Sequence, residues 1–307
     1  MHCSAERCPS SLLVSALLIA TSALGGCSAA LLDPRGPVGQ AEKTILLDSL
    51  AIMLAIVVPT IVATLGVAWW FRESHTKARY LPDWEFSGQI ELVVWAIPLM
   101  TIILLGGVTW IGSHQLDPGR PLASKTAPLE IQVVSLDWKW LFIYPDARVA
   151  SVNELVVPAG VPLHFSLTSA SVWNTFFVPQ LGSMIYTMNG MTTQLNLQAD
   201  EPGTFHGLSG HFSGDGFSDM SFQVRALPAE GFNAWLKSAR DGGRKLDAAG
   251  YSALARQGSP MAPTLYAAVD ADLFHRIVMQ ALPPGPGPEI GREGASEKPA
   301  STSTAKP

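Results

Sequence analysis

Two long uncharged apolar runs constrain this chain more than any other feature. Ser49 to Phe71, SLAIMLAIVVPTIVATLGVAWWF, and Leu92 to Gly112, LVVWAIPLMTIILLGGVTWIG, contain no charged residue. Each reaches the roughly 20 residues that a helix needs to cross the hydrocarbon core of a bilayer. The pair predicts a two-helix transmembrane hairpin over residues 45–113. Trp69, Trp70 and Phe71 close the first run and Trp110 closes the second, where aromatic rings meet the headgroups. Pro59 and Pro98 kink such helices without forbidding them.

The N-terminus adds an export signal. Arg7, an apolar stretch from Leu12 to Leu24 and the small residues of LGGC ending at Cys27 predict a signal peptide over residues 1–26. LGGC resembles the lipobox of bacterial lipoproteins, which predicts cleavage before Cys27, acylation of that cysteine and a lipidated segment over residues 27–44. Cys3, Cys8 and Cys27 are the chain's three cysteines, so no disulfide framework braces the remainder. Lys and Arg fall on both flanks of the hairpin and do not orient it. The signal does: it exports the chain beyond Cys27, two spans return that chain to the same side, and residues beyond about 113 lie outside the cytoplasm. The loop from Arg72 to Gly88 then faces the cytoplasm. A net charge of -5 excludes a basic nucleic-acid binder.

From Leu129 the texture becomes short apolar segments separated by turn residues: LEIQVVSLD, WKWLFIY, NELVVPAG, PLHFSLTS, VWNTFFVPQ, TTQLNLQ, GTFHGLSG and MSFQVRAL. Strands at such intervals with no helical runs between them predict an antiparallel sandwich or barrel over residues 125–227. Residues 228–282 turn helical in PAEGFNAWLKSAR, LDAAGYSALAR and DADLFHRIVMQ, with Asp247 and Asp270 placed as N-caps. The Pro-, Gly- and Ser-rich stretch 283–307 cannot bury a core and is expected to be disordered.

Three motifs carry a family resemblance. ELVVWAIP (Glu91 to Pro98), SLDWKWLF (Ser135 to Phe142) and VWNTFFVPQLG (Val172 to Gly182) resemble, in turn, the start of the second helix, the aromatic segment and the first ligand strand of subunit II of the haem-copper terminal oxidases. The resemblance implies that the sandwich is a cupredoxin. In cytochrome c oxidase members, a His on that strand and a Cys-x-Glu-x-Cys-x-x-x-His-x-x-Met loop hold a dinuclear copper. Here the first histidine becomes Asn174, the cysteines Ser209 and Ser213, the second histidine Phe217, the glutamate His211, and Met220 alone remains. A serine hydroxyl cannot replace a bridging thiolate, the soft ligand such a centre needs. His206, His211 and Met220 do not make up the loss with Phe217 at a ligand position.

Within the family, members that oxidise quinol receive electrons inside the membrane and need no such copper. The chain thus resembles subunit II of the cytochrome bo-type ubiquinol oxidases. That resemblance implies a bacterial inner-membrane protein with a periplasmic domain and no cofactor of its own. The haems, active-site copper and quinol site would belong to subunit I, its main partner beside other oxidase subunits and membrane lipids. It also places Glu91 at the mouth of a proton-uptake channel and leaves Trp138, an electron-passing position in the copper branch, to packing. The alternatives are a copper-binding subunit of a cytochrome c oxidase, which the missing cysteines oppose, and a scaffolding lipoprotein, which leaves ELVVWAIP unexplained.

Overall fold

The computed structural model describes residues 30–79, 81, 83–256 and 261–282. The expected signal peptide, Cys27 and the tail from residue 283 lie outside the described residues.

Two long helices come first, α1 at Pro37–Trp70 and α2 at Gly88–Gln115. Gly36 is extended at the N-cap of α1 and Pro37 takes the first helical position, where its missing N–H costs nothing. Most apolar side chains of both helices stand exposed, Leu65, Leu92, Trp95 and Met100 among them, as on a surface that faces lipid or another membrane subunit. Thr60, Thr64 and Thr101 turn their hydroxyls back onto carbonyls one turn earlier, at 2.7–2.8 Å, so the helices offer lipid few free polar groups. The helices approach closely at Gly112, where a Cβ would stand 2.8 Å from Ile45 Cδ1.

Ten strands then build two packed sheets: β1 (Leu129–Leu136), β2 (Lys139–Tyr144), β3 (Val149–Val152), β4 (Glu154–Pro158), β5 (Pro162–Ser169), β6 (Asn174–Phe177), β7 (Ile185–Thr187), β8 (Thr193–Gln198), β9 (Gly203–Ser209) and β10 (Ser221–Leu227). One sheet runs β3-β2-β1-β5-β8 and the other β4-β10-β9-β6-β7. All eight expected segments form strands. The expected antiparallel order does not hold throughout, because β1 pairs β5 and β10 pairs β4 in parallel. Between β1 and β5 the chain passes through β4 of the other sheet, a crossover long enough to return it in the same direction.

The core between the sheets is aromatic. Trp140, Phe142, Phe165, Phe176 and Phe222 are fully buried or nearly so, and Phe176 stacks on Phe222 at 5.2 Å and 15°. Replacing a ring of this kind with alanine costs about 3–5 kcal/mol. Strand β2 is buried on both faces, which explains its continuous apolar run. Trp140, Phe142 and Tyr144 face the other sheet, while Leu141 and Ile143 face a second core.

In the C-terminal extension α3 (Ala229–Asp241) packs Phe232 and Ala239 onto the core between the sheets, beside Tyr144, while α4 (Ala248–Leu254) and α5 (Leu273–Val278) cover that second face. Tyr251, Leu254, Leu273, Phe274 and Ile277 pack there with Leu141 and Ile143. Lys139 reaches from β2 to donate to the Leu254 and Arg256 carbonyls at 2.9 and 2.8 Å, closing the C-terminal end of α4. Burial pushes its ammonium below the usual lysine range, with the Asp137 carboxylate acting the other way. The extension is not wholly helical as expected: β11 (Lys245–Leu246) pairs β13 (Ala268–Val269), and β12 (Thr264–Tyr266) adds an edge strand to β3. Asp247 caps α4 through Gly250 N at 2.8 Å, as its position predicts. Asp270 does not cap α5. Asp272 stands at that N-cap and Asp270 pairs with Lys245 at 3.2 Å.

A strap that no periodicity in the sequence marks joins α1 to the sandwich. Arg35 N–H donates to Gln180 O at 2.7 Å, Gly39 N–H to Leu181 O at 3.1 Å, and Asp200 N–H to Arg35 O at 2.9 Å. Glu42 on α1 accepts from the Ser183 hydroxyl.

Candidate functional site

The five positions that the resemblance matches to copper ligands lie on β6, β9 and the loop between β9 and β10. Along β9 the inward positions are Phe205, Gly207 and Ser209, since side chains alternate across a strand. Ser209 therefore points at β6, which pairs β9 at Phe176 and Ser209. Its hydroxyl lies 3.1 Å from Asn174 Oδ1 and 3.3 Å from the His211 carbonyl, and donates its one proton to either. Asn174 and Ser209 are both buried. The Asn174 carbonyl in turn accepts from Thr187 Oγ1 at 3.2 Å, and Thr187 meets Ser135 Oγ at 2.8 Å. A buried chain of neutral hydrogen bonds, Ser135–Thr187–Asn174–Ser209, thus links four strands, β1, β7, β6 and β9.

The loop between β9 and β10 closes over this chain. Ser209 N–H donates to Met220 O at 3.1 Å, and Gly210 N–H to Thr175 O at 3.0 Å. The Ser213 hydroxyl stands 3.9 Å from Met220 Sδ, with Met220 buried. Phe217 packs edge-on against Phe212 at 5.6 Å. Trp138 lies under the loop and donates from Nε1 to the Ser213 carbonyl at 3.3 Å. Its φ of 59° is left-handed, rare for so bulky a residue, and holds the ring against Gly216. The packing expected for Trp138 has a specific partner in that glycine.

The donor set does not fit a dinuclear copper. Hydroxyls, an amide already bonded to its neighbour, a phenyl ring and one thioether occupy the ligand positions, with no thiolate or imidazole among the five. His206 points outward from β9, opposite in sense to Ser209, and His211 is exposed beside Tyr186 at 5.8 Å. Neither reaches the Asn174–Ser209 pair by any side-chain bond seen in the structure. Among the described residues no three His, Cys, Asp or Glu side chains gather as metal ligands.

Glu91 lies far from this cluster, in the first turn of α2. Its Oε2 accepts from Trp95 Nε1 at 3.1 Å, one turn along the helix, and the pair stands exposed on the outer face. The acylation residue Cys27 lies outside the described residues.

Comparison with known proteins defines the class first. The family model described as "Cytochrome C oxidase subunit II, periplasmic domain" matches residues 146–227, and "COX Aromatic Rich Motif" matches residues 240–285, most of the C-terminal extension and the first residues of the stretch beyond it. The first match spans β3 to β10 of the sandwich, which the two long apolar helices precede. The periplasmic domain of subunit II of cytochrome oxidase of Bradyrhizobium japonicum aligns with a TM-score of 0.36 and 24% identity over 39% of this chain and 98% of that one. Cytochrome bo(3) ubiquinol oxidase subunit 2 of Pseudomonas aeruginosa is 46% identical over 255 residues, 83% of this chain and 77% of that one. Ubiquinol oxidase subunit 2 of Acetobacter aceti is 46% identical over 268 residues, 87% and 85% of the two chains. The chain belongs to the family of ubiquinol oxidase subunit 2. It is a membrane-anchored protein with a periplasmic domain.

Proposed function

We propose that this chain is the copper-free structural subunit of a proton-pumping quinol oxidase that carries electrons from ubiquinol to oxygen in the bacterial inner membrane. The observation that carries this reading is the buried Ser209–Asn174 hydrogen bond at 3.1 Å, which joins two positions where a copper centre needs a thiolate and an imidazole. The sandwich is then a periplasmic cap on subunit I, which holds the haems, the active-site copper and the quinol site. The chain itself holds no cofactor. Glu91 contributes to the proton-uptake entrance, because a carboxylate at the loop end of α2 exchanges protons with water while its helix lies against the catalytic subunit. Cys27 carries the lipid after residues 1–26 are removed, and the oxidase's other subunits and the surrounding lipids complete its partners.

The test uses the purified oxidase complex. Ubiquinol should be oxidised and reduced cytochrome c should not, with no copper beyond that of the active site. Thiolate-type copper absorption, or turnover with cytochrome c, overturns the reading. In the same complex Glu91→Ala should lower turnover at normal haem content, and Glu91→Asp should retain part of it. Unchanged turnover across pH in the assembled Glu91→Ala enzyme removes Glu91 from proton uptake.

A further inference from the structure

The end of the hairpin remote from the sandwich holds a feature that neither the copper-type loop nor Glu91 explains. Where α1 ends and α2 begins, a cavity of about 1000 Å³ opens against the loop that joins them. Its lining is in part apolar, with Val67 and Phe71 of the first helix end, Leu81 and Trp84 of the loop, and Ile90 of α2. The same lining carries three cations, Arg72, Lys77 and Arg79. Glu73 is the acidic side chain among the lining residues, so the lining keeps a surplus of positive charge. None of the three cations forms an ion pair among the described residues.

Aromatic contacts fix this end. Arg72 stands over the Trp69 ring at 5.4 Å. His75 lies edge-on to Trp70 at 4.6 Å and donates from Nδ1 to the Trp70 carbonyl at 2.6 Å. Tryptophans gather where a bilayer meets water, so this end of the hairpin stands at headgroup level, with the three cations in the loop and Val67 about one turn deeper in α1.

We infer that this cavity binds the headgroup of an anionic phospholipid. Its phosphate would meet Arg72, Lys77 and Arg79 and its first acyl carbons the Val67, Phe71 and Ile90 wall. Basic pockets between membrane helices select such lipids because each nearby cation strengthens binding to negative charge. A free phosphate would use the cations and leave the apolar wall uncovered. A zwitterionic lipid would cover the wall and bring its own ammonium toward three cations. An anionic lipid satisfies both the cations and the apolar residues.

The test titrates the purified full-length chain in detergent with phosphatidylglycerol and follows the first bound lipid by native mass spectrometry. The triple variant Arg72→Gln, Lys77→Gln, Arg79→Gln should bind about 100-fold more weakly, at about fivefold per charge removed. Phosphatidylethanolamine should bind the parent chain more weakly than phosphatidylglycerol by about tenfold or more, since it lacks the net charge. Arg72→Lys with Arg79→Lys keeps the charges and should stay within about threefold of the parent, which separates lost charge from lost folding. Equal affinity for the two lipids overturns the inference, as does an unchanged triple variant or a charge-conserving variant as weak as the triple one. Complete displacement of phosphatidylglycerol by millimolar inorganic phosphate also overturns it, because the cavity would then read phosphate alone.

Discussion

Replacing Gly216 with alanine asks how much the contact with Trp138 contributes to holding the loop between β9 and β10 in shape. Gly216 has φ -90° and ψ 9°, a conformation open to any residue, so alanine adds no backbone strain. The cost is steric. A Cβ at 216 would stand 2.5 Å from Cγ and Cε3 of Trp138. The ring's Cδ2 would be closer still, and an ordinary carbon–carbon contact is about 3.5 Å, so the indole must retreat by more than about 1 Å. It cannot do so freely, because Trp138 is buried and its Nε1 donates to the Ser213 carbonyl. Overpacking of this kind costs about 1–3 kcal/mol. Loss of the indole hydrogen bond adds about 1 kcal/mol. A destabilisation of about 2–4 kcal/mol lowers Tm by roughly 5–15 °C in a chain of this size. Thermal unfolding of the full-length chain, followed by near-ultraviolet circular dichroism, measures the shift. In a Trp138→Leu background the same substitution should cost much less, since the smaller side chain leaves room. A Gly216→Ala Tm within about 1 °C of the parent, or strictly additive effects in the double variant, would refute the idea that the indole anchors the loop.

Three further outcomes rest on buried or capped groups. Ser209→Ala should destabilise the chain by about 1–3 kcal/mol in urea unfolding, because the buried Asn174 Oδ1 loses the hydroxyl that donates to it. Tyr144→Phe should cost a similar amount, about 1–3 kcal/mol, since the phenol both donates to Val156 O and accepts from Val156 N at 2.9 Å, and burial holds its ionisation well above the usual tyrosine range. Asp247 accepts from the Gly250 N–H, which holds its carboxyl below the usual value of 3.8. A depressed carboxylate stabilises the fold above its unfolded pKa and loses that contribution as pH falls through the folded value. Asp247→Ala should therefore lose less stability than the parent between about pH 5 and the acid limit; equal losses would show that the cap does not titrate with folding.

What the sequence made legible was whatever a single segment could specify. The membrane helices come from uncharged length, and the eight strand segments from short apolar runs between turns. β7 is only three residues long and β12 only three, and each is a strand because a neighbour pairs it, β6 for one and β3 for the other. Asp270 shows the same limit: the spacing suited an N-cap, but Lys245 on another segment claimed the carboxylate. The misfit of Ser209, Ser213, Asn174 and Phe217 to a copper centre was equally legible, because it can be judged by residue type alone. The hydrogen bonds that join these positions were not. Ser135, Thr187 and Asn174 come from β1, β7 and β6, and only the fold brings their polar groups to the inward face of β9.

The left-handed backbone at Trp138 was hidden for the same reason, since a tryptophan at φ 59° is sustained by the glycine opposite and not by its neighbours in sequence. A metal centre fixes a loop by a few strong bonds to charged ligands. Here neutral hydrogen bonds and one indole fix it, and each of those is worth only about 1 kcal/mol against water. The loop must therefore be held by several such contacts at once, spread over distant strands. That is how a loop whose positions resemble those of a copper site can keep its shape without thiolates or imidazoles at them, and why its stability should depend on residues, Gly216 and Thr187 among them, that stand at none of those positions.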